Sequence, residues 1–229
     1  MKQLMIFGDS ILRGITYSEE MKKYRLCAGY KLPSLTELGY DVVNHSRMGA
    51  TVTRGLDMLD GGLPQCDSDT VILLEYGGND CDHNWDEVAA DPAVMHLPNT
   101  PEAEFMRKYS TAIERSLATG ATVIMCPLLP IDADKYMNWI SQNRSREDIL
   151  RWLGDVSMLY RFQEHYNDLV EQLARTYGCP LLGYRKEFLL SHRYSDLMCR
   201  DGIHPTEAGH DLIEASVANF LKDSRILCA

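Results

Sequence analysis

The chain has 229 residues, 45% of them apolar, and a formal net charge of −10. A length of this order fits one large domain that buries roughly 70% of its unfolded surface and needs no metal or disulfide staples. The charge argues against binding through a phosphate backbone, which needs clustered Lys and Arg, and disfavours an anionic membrane surface. No nucleic acid and no membrane is expected as a partner; a small molecule and a homo-oligomer are both compatible with the composition.

The first ten residues, MKQLMIFGDS, run an apolar strand from Leu4 to Phe7 and stop on Gly8-Asp9-Ser10. Four further strand patterns follow: YDVVNHS ending at Ser46, TVILLEY at Tyr76, ATVIMCPLLP at Pro130 and CPLLGY at Tyr184. The middle two are continuous apolar runs, as expected of a parallel sheet covered on both faces. A helix opened by Pro101 and closed by Gly120 sets Phe105, Tyr109, Ile113 and Leu117 on one face. A second, with Phe162, Tyr166, Leu169 and Leu173 inward, stops at Gly178. A third, from about Thr206, turns Ile213, Val217, Phe220 and Leu221 inward. The alternation calls for an α/β fold, a three-layer sandwich with right-handed crossovers.

Residues 81–100 and 132–154 interrupt the alternation, so the expected organisation is one domain over 1–229 with two insertions. Both insertions follow a strand, and in open α/β sheets the binding crevice lies beyond the carboxyl ends of the strands. They are therefore candidate pocket walls, with Trp85 and Trp139 as candidate substrate-binding residues; local packing or a subunit contact is the competing reading. Seven cysteines, Cys27, Cys66, Cys81, Cys126, Cys179, Cys199 and Cys228, are an odd number with no C-x-x-C pair, which favours reduced thiols. Met1 and Lys2 lead straight into an apolar run too short for a secretory h-region, and the expected location is cytoplasmic.

The chemistry sits at strand ends. The first strand ends in Gly8-Asp9-Ser10, the second leads to Gly49 in SRMGAT, and the third ends in Gly77-Gly78-Asn79-Asp80; DGIHP, before the last helix, sets Asp201 and His204 three apart. Acyl transfer needs these parts. A serine hydroxyl is a poor nucleophile until a base takes its proton, and His204 is suited to that. The spacing lets Asp201 fold back onto Nδ1 of His204 and fix its tautomer. The N–H groups of Ser10 and Gly49 and the Asn79 amide are three candidate donors to an oxyanion. Each residue also has a plainer reading. Ser10 is a good helix N-cap, and Asp9 could serve too. Gly49 could be a turn glycine and Asn79 an Asx-turn residue. The remaining histidines show no ligand spacing for a metal.

Taken in order, FGDS, Gly49 in NHSRMGAT, GGND and DGIHP resemble the four blocks of the GDSL family of SGNH hydrolases. The resemblance runs from Ser10 to His204. It implies Ser10 as nucleophile, Ser10, Gly49 and Asn79 as the oxyanion hole, and Asp201 with His204 as orienter and base. It also implies a flavodoxin-like, five-stranded parallel sheet of order 2-1-3-4-5, and neither metal nor cofactor. The expected activity is cleavage of a carboxylic ester of short acyl length, such as an acetyl ester of a sugar or aryl alcohol, through an acyl-enzyme. An acyltransferase using the same site, its intermediate shielded by the aromatic insertion, is the first alternative. A non-catalytic flavodoxin-like module that holds an anion at the helix start is the second.

Overall fold

The computed structural model describes residues 2–27, 30 and 32–223, and Cys228 lies outside them. The chain opens with β1 (Lys2–Phe7), α1 (Ser10–Arg13), β2 (Ile15–Ser18), β3 (Lys23–Leu26) and α2 (Pro33–Glu37). It continues through β4 (Tyr40–Asn44), α3 (Val52–Gly62), β5 (Thr70–Leu74), α4 (Trp85–Ala90), α5 (Glu102–Leu117) and β6 (Thr122–Met125). The last third is helical: α6 (Ala133–Ile140), α7 (Arg146–Leu153), α8 (Ser157–Tyr177), α9 (Tyr184–Leu190) and α10 (Glu207–Asp223).

Strands β4, β1, β5 and β6 lie side by side in that order and pair in parallel. Successive side chains of a strand face opposite ways. Met5 and Phe7 of β1, with Ile72 and Leu74 of β5 and Val123 and Met125 of β6, enter one core with α3, α5 and α8. Leu4 and Ile6, with Val71, Leu73 and Ile124, enter the other, where α9 and α10 bring Phe188, Ile213, Val217 and Leu221. Helices on both faces explain why these strands read as unbroken apolar runs rather than alternating ones. At roughly 1.5–3 kcal/mol for each large apolar side chain buried, this double burial is the main force holding the sheet together.

The four strands keep the order 2-1-3-4 that the family resemblance implies, and the fifth segment takes its place beyond β6 as a single bridge, Met125 to Leu181. It extends no further for a local reason. Pro180 has no N–H to give the ladder, and α9 begins at Tyr184. The segment is tied on by Met125 N–H to Pro180 O at 2.8 Å and Leu182 N–H to Met125 O at 2.9 Å.

Three details differ from the sequence pattern. Leu117, the last residue of the expected face of α5, is exposed, and Ala112 and Ser116 are buried instead. Residues 15–39, which carry no apolar strand signal, hold the antiparallel hairpin β2–β3 and the short α2. The two insertions contain α4, α6 and α7, whose Trp85, Val88, Tyr136, Met137, Ile149 and Leu153 form a third apolar cluster with Leu159 of α8. No described helix is long and apolar enough to cross a membrane.

Candidate active site

The carboxyl end of β1 supplies the first component. Asp9 caps α1, its side chain accepting the Ile11 N–H at 2.8 Å, and this leaves Ser10 as the first helical residue. Asp9, rather than Ser10, is thus the cap, and the serine hydroxyl is free for another partner. That partner is His204: Ser10 Oγ–H donates to Nε2 at 2.9 Å, across 194 positions of sequence. On the other side of the ring, Nδ1–H donates to Asp201 Oδ2 at 2.7 Å. Ser10 and His204 are each 5% exposed and Asp201 is 0% exposed, so the chain of hydrogen bonds is shielded from bulk water.

Asp201 Oδ1 accepts the N–H groups of Ile203 and His204, both at 3.1 Å. Burial alone pushes the Asp201 carboxyl up, but the hydrogen bonds and charge of His204 with these backbone donors outweigh it and hold the group below its ordinary value. A depressed carboxyl is an ionised one at neutral pH, as needed to fix the Nδ1–H tautomer.

Asn79 reaches the same cleft, but its amide is already engaged: Nδ2 donates to Asp9 Oδ2 at 2.8 Å and to Ala50 O at 3.2 Å. Gly49 is exposed and is not among the residues lining the cleft, although its neighbour Ala50 is the one tied to Asn79. Its φ of +70° is what calls for glycine, since a Cβ there would meet nothing within 4 Å. The structure therefore brings Ser10, Asn79, Asp201 and His204 together, with Gly49 one residue outside.

Behind Ser10 lies a buried pair of carboxyls. Asp9 N–H donates to Glu75 Oε2 at 3.1 Å, and the two side chains share a hydrogen bond. Burial, then the charge of Asp9, raises Glu75 well above the ordinary carboxylate range, so it carries the shared proton and donates it to Asp9. Five residues further on, burial pushes Asp80 up to about 6 against the hydrogen bonds it receives. Both its oxygens accept Val52 N–H, at 3.0 and 3.1 Å, pinning the start of α3 to the loop after β5.

A cleft opens beside Ser10. Leu128, Leu129 and Ile131 after β6, Ile203, and Leu159 and Phe162 of α8 make its wall apolar. The insertions contribute as expected: Asp82, His83 and Trp85 from the first and Tyr136 from the second. Trp85 is fixed by donating Nε1–H to Asp82 Oδ1 at 2.9 Å and to Tyr136 OH at 3.0 Å. Trp139 is not part of that lining. It lies beside the hairpin, 5.2 Å from the Tyr17 ring and 6.1 Å from Tyr24. The side chain that sequence reasoning missed is Tyr24 of β3, whose hydroxyl donates to Asp201 Oδ2 at 2.9 Å. No periodicity or motif around it signals this contact. Among the described residues, no three His, Cys, Asp or Glu side chains are placed to hold a metal ion.

Residues 6–212 match the model of the GDSL-like lipase/acylhydrolase family. No curated protein matches the chain. Solved structures do match in fold. A lipase/acylhydrolase from Enterococcus faecalis superposes with a TM-score of 0.64 at 19% identity, over 97% of this chain and 96% of that one. The acetyl xylan esterase AlAXEase gives 0.61 at 20% identity, over 95% and 98%. Axe2, an acetylxylan esterase from Geobacillus stearothermophilus, gives 0.62 at 18% identity, over 97% and 95%.

Proposed function

The chain belongs to the GDSL-like lipase/acylhydrolase family of ester hydrolases, and on that premise we propose that it cleaves a carboxylic ester through an acyl-enzyme on Ser10. The observation that carries this reading is the unbroken relay from Ser10 Oγ through both nitrogens of His204 to a buried, ionised Asp201. His204 takes the serine proton as Oγ attacks the acyl carbon, and returns it to the departing alcohol. Asp201 steadies the imidazolium without accepting its proton. Water, activated by the same imidazole, then releases the acid. The Ser10 N–H, in the first turn of α1 where no helical acceptor faces it, and the Asn79 amide support the oxyanion. Asn79 does so by exchanging its longer bond, to Ala50 O, for the developing charge.

The acyl group we assign is short, with a sugar or aryl alcohol as leaving group. Support comes from the fold shared with proteins described as acetylxylan esterases and from the aromatic rings of Trp85 and Tyr136 that line the cleft. The test is hydrolysis of p-nitrophenyl esters by wild type and Ser10→Ala. Turnover of the acetyl ester is expected to vanish in a variant that still melts cooperatively. Full activity in the pure variant overturns the nucleophile assignment, and a chain-length profile that peaks at C10 or longer overturns the short-acyl assignment.

A further inference from the structure

We propose that Tyr24 is a positioning residue for the Asp201–His204 pair, acting from a hairpin remote in sequence. The proposal rests on the reading of His204 as the base. Tyr24 O–H and His204 Nδ1–H donate to the same oxygen, Asp201 Oδ2, at 2.9 and 2.7 Å. The phenol ring also lies against the imidazole, centroids 4.8 Å apart and planes tilted by 51°. With Oδ1 held by two backbone N–H groups, the Tyr24 bond completes the set that fixes the carboxylate plane. Without it, Oδ2 is oriented only by the ring that it is meant to orient.

The hydroxyl is a dependable donor. Burial, then the negative charge of Asp201, pushes the phenol far above its ordinary value, so it keeps its proton throughout the working pH range. The hairpin is itself clamped. Tyr17 and Tyr24 meet edge to face at 5.3 Å, Trp139 packs against both, and Arg200 stacks at 5.8 Å over the Tyr17 and Trp139 rings. Tyr17 N–H reaches Cys199 Sγ at 3.4 Å, in the segment that carries Asp201. Trp139 thus backs the hairpin that holds Asp201.

A hydrogen bond from Tyr24 spreads the charge of Oδ2 over two donors. Removing it concentrates that charge on the bond to His204, which strengthens and makes the imidazole more basic. Asp9 from the start of α1, His210 from α10, Cys199 from the same segment and Tyr17 from β2 also face the pair or the phenol. Tyr24→Phe leaves all of them in place and keeps the ring.

The experiment has two arms. In the active enzyme, Tyr24→Phe is expected to lower kcat/KM for p-nitrophenyl acetate about tenfold, the scale of one hydrogen bond to a charged group, and to move the acid limb of its pH profile to higher pH. Tyr17→Phe, on the same hairpin but without that bond, is the control and leaves the limb in place. In the Ser10→Ala background, the proton resonance of the His204 Nδ1–H is expected to move downfield on adding Tyr24→Phe. A limb and a resonance that both stay put, in a variant with unchanged melting, overturn the proposal. The resonance decides the role of Tyr24 even if Ser10→Ala retains turnover, which would defeat the nucleophile assignment alone.

Discussion

Ser10 and His204 meet in one cleft, yet they are held there by different kinds of force. Ser10 follows a central strand whose Met5, Ile6 and Phe7 are at most 1% exposed, and it inherits its position from the packing of two cores. His204 hangs in a segment that is neither helix nor sheet between the turn at Tyr194–Leu197 and α10, tied by Cys199 N–H to His204 O at 2.8 Å and Thr206 N–H to Leu197 O at 2.9 Å. Its orientation comes from polar contacts with Asp201, and through it from Tyr24. The nucleophile is set by apolar burial, the base by hydrogen bonds. Damage on the first side should therefore appear as lost stability, and damage on the second as lost rate in a folded protein.

The largest expected effect is on the polar side. Asp201→Asn preserves size but offers an amide where His204 Nδ1–H needs an acceptor, and kcat should drop by about 10⁴. Circular dichroism that shows unfolding instead would mean that Asp201 is mainly a structural anchor. Next, Asn79→Ala should lower kcat about 10²–10³-fold if the amide serves the oxyanion. Loss of stability with unchanged kcat would make it a tie between Asp9 and Ala50.

A smaller effect sharpens the strand side. Asp80 is raised to about 6 by burial, above its unfolded value. A raised carboxyl contributes its stability below the unfolded pKa and loses it as pH climbs through the folded one. Between pH 4 and 7, wild type should therefore lose about 2 kcal/mol relative to Asp80→Asn, measured by urea denaturation of both proteins. A constant difference across that range would contradict the assignment. Asp201, being depressed, works in the opposite direction, so the comparison with Asp80→Asn is needed to isolate one group.

What the sequence made legible follows from the same division. Strands buried on both faces leave continuous apolar runs, so β1, β5 and β6 stood out, with the polar residues that follow β1 and β5, as did Asp201 and His204 at a spacing that closes on itself. The hairpin left no such trace: ITYS and KYRL are short and partly charged, and their function depends on where the chain folds them. Tyr24 was invisible for that reason. Trp139 was legible as an aromatic in an insertion, but the side it faces is set by the hairpin. Gly49 was legible as a glycine, and the structure ties that choice to its positive φ. The fifth strand shrank to a bridge because Pro180 and the early start of α9 limit pairing.

The most direct test of the central claim is covalent. Protein treated with a fluorophosphonate and digested should carry the label on the peptide containing Ser10, with esterase activity lost in step and no label on that peptide in His204→Ala. An active preparation that is inhibited while its Ser10 peptide stays unmodified, or labelled at another residue, would contradict the account.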